Sequence, residues 1–173
     1  MQIRKASVND ISAVSAIYEQ IHTEEEAGRT SIGWVRGVYP TADTASNAVS
    51  RGDLFVMTEG NAVVGATIIN QAQCDGYETG AWQYPARDDE VMVLHTLVIS
   101  PLAAGRGYGR AFVSYYEDYA RAAGCRYLRM DTNGRNARAR AMYKKLGYSE
   151  IGVIPTVFNG IPGVSLVLLE KAL

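Results

Sequence analysis

The stretch VMVLHTLVISPLAAGRGYGR, residues 91–110, decides how this chain is read. Residues 91–99 are a nearly continuous apolar run, the pattern of a central strand buried on both faces. Pro101 ends it, and a helix is expected from about Gly107 to Ala123, stopped by Gly124. Gly105, Gly107 and Gly109 lie between strand and helix, where missing Cβ atoms let the backbone approach a ligand closely. The helix N-terminus adds unpaired N–H donors and a partial positive charge. Gly105, Arg106, Gly107, Tyr108, Gly109 and Arg110 therefore read as an anion site with a pyrophosphate as its natural occupant. Three alternating glycines exceed what a packing turn requires.

Two other glycine loops are poor matches. A nucleotide P-loop needs Gly-Lys-Ser/Thr, whereas this chain has Gly109-Arg110-Ala111. The dinucleotide fingerprint fails at its last glycine, where Arg110 stands, although Asp131 lies about twenty residues on. The residues before 91 also read as helices and an antiparallel hairpin, not as the start of a doubly wound parallel sheet.

Upstream, residues 2–5 suggest a short opening strand. Ile11, Val14, Ile17, Tyr18 and Ile21 recur at helical spacing, giving an amphipathic helix from Asn9 or Asp10 to about Glu24. A second helix is expected from Ala42 to Arg51, capped by Thr41 and stopped by Gly52. Leu54 to Thr58 and Ala62 to Ile69 form a hairpin across Glu59, Gly60 and Asn61. Residues 70–90 read as a long polar loop bordering a site. Downstream, a strand from Arg126 to Asp131, a helix from Asn136 to Leu146, and strands at 148–157 and 164–169 joined through 158–162 complete the chain.

The composition is that of an ordinary globular protein, and 173 residues fit one domain spanning 1–173. A net charge of −1 offers no global field toward nucleic acid or an anionic membrane. Cys74 and Cys125 lack the paired spacing of zinc or redox motifs, so no metal is expected. The opening MQIRKASVND has no long apolar run behind its charges, so neither a secretory signal nor an anchor is expected and a cytoplasmic location follows.

On the helix at 136–146, Asn136 and Tyr143 are nearly two turns apart and share one face. Most of its cations, Arg135, Arg138, Arg140, Lys144 and Lys145, read as a solvated face. Leu97-Val98-Ile99-Ser100-Pro101, then Gly105 to Arg110, then Asn136, Ala139, Tyr143, Gly147 and Tyr148 together resemble the core motifs of the GNAT superfamily of N-acetyltransferases. The motif-bearing part spans about 91–151. One departure is Ala104, where the family pattern usually begins with Arg or Gln, which leaves the backbone cradle intact.

The resemblance implies an α/β fold of the α+β type: a mixed, centrally splayed sheet of six to seven strands flanked by four helices. It implies direct acetyl transfer from acetyl-CoA to a primary amine, a small molecule or a protein N-terminus, without a covalent enzyme intermediate. By position, Leu97, Val98 and Ile99 would align the pantetheine arm as an added strand, with a backbone N–H polarising the thioester carbonyl. Gly105 to Arg110 would hold the pyrophosphate, Asn136 the cofactor arm, and Tyr143 would protonate the departing thiolate.

Asp131 is the first candidate for general base, at the position where similar ribosomal-protein acetyltransferases carry a glutamate; His95 and a water chain are the alternatives. A rival reading is a non-catalytic acyl-CoA-binding module, and nicotinamide chemistry is the remote third. A homodimer is compatible with the chain. The acceptor is expected to meet groups drawn from Glu24, Glu25, Glu26, Trp34, Tyr39, Trp82 and Tyr84, which the sequence does not rank.

Overall fold

The computed structural model describes residues 1–173. In chain order the elements are β1 (Gln2–Lys5), α1 (Ile11–Glu26), α2 (Ala42–Arg51), β2 (Leu54–Glu59), β3 (Ala62–Asn70), β4 (Val91–Ile99), α3 (Tyr108–Ala122), β5 (Tyr127–Asn133), α4 (Ala137–Lys145), β6 (Ser149–Phe158) and β7 (Ile161–Ala172). The strands form one seven-stranded sheet in the order β1-β2-β3-β4-β5-β7-β6. Only β4 and β5 pair in parallel. This is the mixed, splayed sheet with four flanking helices that the resemblance implied.

Alternation along the central strands feeds two cores, because successive side chains leave opposite faces. Leu54 and Val56 of β2 face Val14, Ile17, Tyr18 and Ile21 of α1 and Ala45 and Ala48 of α2. Phe55 and Met57 face the opposite way, toward Phe112, Val113, Tyr116 and Ala120 of α3. A third cluster lies where Tyr77 from the long loop packs on Val91, Val93, Leu166 and Leu168. The loop is therefore a structural layer, and it contains short 3₁₀ turns at Tyr77–Thr79 and Asp88–Glu90.

Three boundaries differ from the sequence reading in ways that matter. β5 runs on to Asn133 and pairs with β7 as far as Leu166, so Asp131 sits inside a strand and does not end it. β7 begins at Ile161, because Asn159 and Gly160 both take positive φ, 49° and 79°, and close a two-residue hairpin turn. The longer connection expected at 158–162 is thus reduced to the turn at Asn159 and Gly160, and Pro162 lies beyond the stretch of β7 that pairs with β5. Asn136 is the N-cap of α4, its Oδ1 accepting from the Ala139 N–H at 3.2 Å.

β1 is tied to the first helix by Arg4, whose guanidinium grips Asp10 through two bonds of 2.8 Å. Asp10 also accepts from the Ser7 N–H at 2.8 Å. Hydrogen bonding from Arg4 holds the Asp10 carboxyl well below the usual carboxylate range. A depressed pKa contributes stability that is present above the unfolded value and lost as pH falls beneath it. Asp10→Ala is expected to cost about 2 kcal/mol at pH 7. Urea unfolding should show that gap shrinking as pH falls below about 4, where the unfolded chain's carboxyl gains its proton while the native one keeps its charge.

Candidate active site

β4 and β5 are registered only from Val91↔Tyr127 to Leu94↔Met130. Beyond Leu94, β4 remains bonded to β3, with Gly65↔Ile99 and Ala66↔Val98 as partners. β5 remains bonded to β7. The edge of β4 from His95 to Ile99 that faces β5 therefore has no strand partner, and its main-chain donors and acceptors are available to an extended ligand.

A bulge accompanies the split. Between Ala66↔Val98 and Ile68↔His95, β4 has one more residue than β3, and Thr96 takes φ of 50°. The extra residue switches the side-chain faces. Met92 and Leu94 point to the α3 side before the bulge, and Leu97 and Ile99 pack against that same core after it. Val98 consequently turns its side chain into the α1 core, so it can serve a ligand only through its backbone.

The split opens a cavity of about 150 Å³, lined by Thr96, Leu97, Asp131, Asn136, Ala139 and Tyr143 together with Trp34, Tyr39, Cys74, His95 and Phe158. Asp131 is half-buried there and accepts a hydrogen bond from the Tyr77 hydroxyl at 2.8 Å. Burial is the largest influence on its carboxyl and raises its pKa to about 6, against smaller lowering contributions from Tyr77 and the neighbouring Cys74 thiol. His95 has both ring nitrogens engaged, Nδ1 with Cys74 Sγ at 3.3 Å and Nε2 with Asn70 Oδ1 at 2.9 Å. Burial lowers its pKa to about 4, so the ring is neutral at physiological pH. The Cys74 thiol is pushed up by burial and by the Asp131 charge, which keeps it protonated.

Tyr143 reaches the cavity from the other face of the sheet, packed with Tyr148 at 6.0 Å in the α3 core. Burial, and then the charge of Asp131, raise its pKa, so the phenol keeps its proton at neutral pH. Asn136 spends its Oδ1 on the helix cap, which leaves its amide N–H groups for a ligand.

Gly105 and Gly107 both occupy the left-handed region, at φ of 82° and 80°, and Gly107 is the N-cap of α3. A Cβ on either would meet nothing within 4 Å, so the turn presents bare backbone to open space. Arg106 is drawn aside to Glu59 at 2.8 Å. Tyr108 packs its ring into the α3 core, which leaves its N–H to face an anion. The open β4 edge, the bare turn and the free Asn136 amide together fit an extended cofactor that carries a pyrophosphate.

The opposite wall of the cavity comes from the loop after α1. Trp34 and Tyr39 stand edge to face at 6.0 Å, and the Tyr39 hydroxyl bonds the Thr96 hydroxyl. Glu25 lies outside the lining: it accepts from the Ile32 and Gly33 N–H groups at 2.7 and 2.8 Å and fixes the loop. A Cβ at Gly33 would collide with the Asn133 side chain at 2.3 Å. Glu24 pairs with Arg29 and Glu26 with Arg36. Trp82 lies over the Arg129 guanidinium, 4.1 Å from its ring, and Tyr84 stacks on Tyr127. Of the seven acceptor-side candidates, only Trp34 and Tyr39 line the cavity. Tyr77, Cys74, Thr96 and Phe158 were not anticipated, since loop residues and a single bulge leave no periodic trace.

A model of the acetyltransferase (GNAT) family matches residues 17–148. Mycothiol acetyltransferase of Beutenbergia cavernae is 38% identical over 60 residues, which are 35% of this chain and 20% of that protein. The chain thus spans about a fifth of the length of that curated relative. Among solved structures, a GNAT-family acetyltransferase of Streptococcus agalactiae superposes with a TM-score of 0.82 at 22% identity, covering 99% of this chain and 95% of that one. The ribosomal-protein-alanine N-acetyltransferase of Brucella melitensis gives 0.73 at 18% identity over 100% of both chains. The Salmonella typhimurium protein yncA, solved with its cofactor acetyl-CoA, gives 0.71 at 20% identity over 99% and 93%.

The raised pKa of Asp131 makes a thermodynamic prediction. The group contributes stability below its unfolded pKa and loses it as pH rises through the folded value, here from about 4 to about 6. At about 1.4 kcal/mol per pKa unit, the charged form costs about 3 kcal/mol. Asp131→Asn should therefore unfold at higher urea than wild type at pH 7 and show little gain at pH 4. Tyr77→Phe, which removes the donor to the carboxylate, should move the Asp131 titration to higher pH in a carboxyl-carbon NMR experiment.

Proposed function

The chain belongs to the GNAT acetyltransferase family, and from that membership we propose that it transfers the acetyl group of acetyl-CoA directly to a primary amine at the split between β4 and β5. The observation that carries this reading is that a carboxyl of pKa about 6 and a protonated phenol, Asp131 and Tyr143, open onto one cavity from opposite faces of the sheet.

Bound acetyl-CoA supplies an activated acetyl thioester. The unpaired edge at Leu97, Val98 and Ile99 accepts the extended arm, and a backbone N–H of that edge stabilises negative charge building on the carbonyl oxygen. The amides of the turn from Gly105 to Arg110 and the N-terminus of α3 take the pyrophosphate. Asn136 donates to the arm from the α4 side. Asp131, ionised at neutral pH yet basic enough to accept a proton, deprotonates the incoming ammonium directly or through water. Tyr143 delivers its proton to the departing sulfur. His95, neutral and bonded at both nitrogens, holds Cys74 and Asn70 and has no free nitrogen with which to take a proton.

Steady-state kinetics with acetyl-CoA and an amine panel test this assignment. Tyr143→Phe should keep acetyl-CoA affinity within about threefold and lower kcat by about a hundredfold, the usual scale for a lost acid–base group. For wild type, kcat/KM should fall as pH drops below about 6, following protonation of Asp131. Asp131→Asn should remove that limb together with most of the activity. Binding of acetyl-CoA without turnover of any amine would favour the non-catalytic module instead.

The cradle is tested separately. Gly107→Val sets a branched side chain before the phosphates and forces a residue out of φ near 80°. Calorimetry should show CoA affinity reduced at least tenfold in a variant that still folds. Equal affinity would remove the turn from the binding site.

A further inference from the structure

The acceptor half of the cavity has a definite chemistry. Its walls are Trp34 and Tyr39 from the loop after α1, and Phe158, Ile161, Val164 and Leu166 from the β6–β7 hairpin, with the uncharged amides of Asn133 and Asn159 among them. The two segments meet over it: a Cβ on Gly160, at the hairpin tip, would lie 3.3 Å from Val38 of the loop. No Lys, Arg or Glu is among the lining residues, and the acidic group is Asp131. The imidazole of His95 is neutral and engaged at both nitrogens, so it offers no positive charge. A guanidinium stands beside this wall, that of Arg135, which borders Gly33, is largely exposed, and reaches Glu25 at 3.7 Å.

We propose that the acceptor is a small primary amine with an apolar aliphatic or aromatic body and no anionic group, so that free α-amino acids are excluded. The inference rests on the acetyl-transfer reading and narrows its substrate class. A cationic head entering the cavity finds the Asp131 carboxylate, with the faces and edges of Trp34 and Tyr39 beside it. An apolar body finds the hairpin side chains, and its transfer from water is favourable in proportion to the area buried. A carboxylate on the carbon bearing the amine would be carried to the same depth. It would exchange its hydration for uncharged amides at most, with no lining cation to balance it, and would stand close to Asp131 besides.

Matched acceptors test the proposal on the full chain. Phenethylamine, phenylalanine and phenylalaninamide share a ring and differ in charge and bulk, and isopentylamine and leucine repeat the first contrast without the ring. Each is titrated calorimetrically into the CoA-saturated protein and, separately, assayed for thiol release from acetyl-CoA. The expected result is at least a hundredfold preference for each amine over its amino acid, with the neutral amide bound within about tenfold of phenethylamine. Trp34→Ala should weaken phenethylamine binding at least fivefold, and Arg135→Ala should leave the order of preference unchanged.

Equal or tighter binding of the amino acids would overturn the proposal, as would phenylalanine binding that depends on Arg135. Rejection of the amide along with the acid would also overturn it, since bulk and not charge would then decide. Selective amine binding without thiol release would uphold this substrate class while defeating the catalytic reading. Thiol release with other acceptors, and none of these amines bound, would do the reverse.

Discussion

Everything at this site depends on the place where β4 and β5 stop pairing. A parallel pair that parts after Leu94 and Met130 leaves main-chain groups of β4 without partners in the middle of the molecule, an arrangement that costs roughly 1–3 kcal/mol for each group left dry. The fold sustains it because each strand keeps its other neighbour: β4 is held by β3, and β5 by β7. The bulge at Thr96 then completes the opening. It returns Leu97 and Ile99 to the α3 side while the backbone edge turns toward the gap. Below the split, the Tyr116 hydroxyl lies 2.6 Å from the Met92 carbonyl and 3.1 Å from that of Arg129, clamping the last paired turns of the two strands.

The same opening explains the protonation states. Asp131 is the first residue of β5 past the split, and His95 the first of β4. Both are desolvated, and burial favours the neutral form of each, which moves the acid up and the base down. The two outcomes are chemically unequal. A carboxyl near 6 is still ionised at neutral pH and has gained basicity, whereas an imidazole near 4 that already bonds Cys74 and Asn70 has lost it. Tyr143 arrives from the opposite face, where burial keeps its proton in place. A continuous sheet would insulate these groups from one another; a split sheet lets them share one cavity.

Much of this was legible because it rests on local, periodic signals. The apolar run at 91–99 became β4 with the same ends, and the glycines at 105 and 107 took the positive φ that only glycine adopts readily. Asn136 and Tyr143 share the cavity as their helical spacing requires. What was illegible is equally physical. A bulge is one residue that breaks a period of two, and Thr96 in a run of strand-forming residues gives no warning of it. Tyr77 meets Asp131 across 54 positions of sequence, a pairing that no window can show. Glu24, Glu25 and Glu26 read alike, yet Glu25 fixes the loop that carries Trp34 and the other two form exposed pairs, because only Glu25 lies beneath the folded-back amides of Ile32 and Gly33.

The loop at 71–86 is held by buried charge where the open edge of β4 is held by backbone. Arg129 and Glu170, both almost fully buried, approach to 3.6 Å. Arg129 also donates to Gln73 at 2.6 Å and to the Tyr84 carbonyl, and Glu170 accepts from the Gln83 N–H at 2.8 Å. Between them they tie both ends of the segment that carries Cys74 and Tyr77. Removing one partner of such a pair strands a charge, typically at a cost of about 3–5 kcal/mol, so the segment is fixed and Tyr77 stays seated on Asp131. The split of β4 from β5 and the glycine turn are built from main chain and tolerate many side chains around them. The rest of the cavity wall is built from side-chain-anchored segments, the loop at 32–39 and the β6–β7 hairpin, with Cys74 from the loop at 71–86. Under the proposed function, substrate choice can therefore change by altering those segments while the split itself stays as it is.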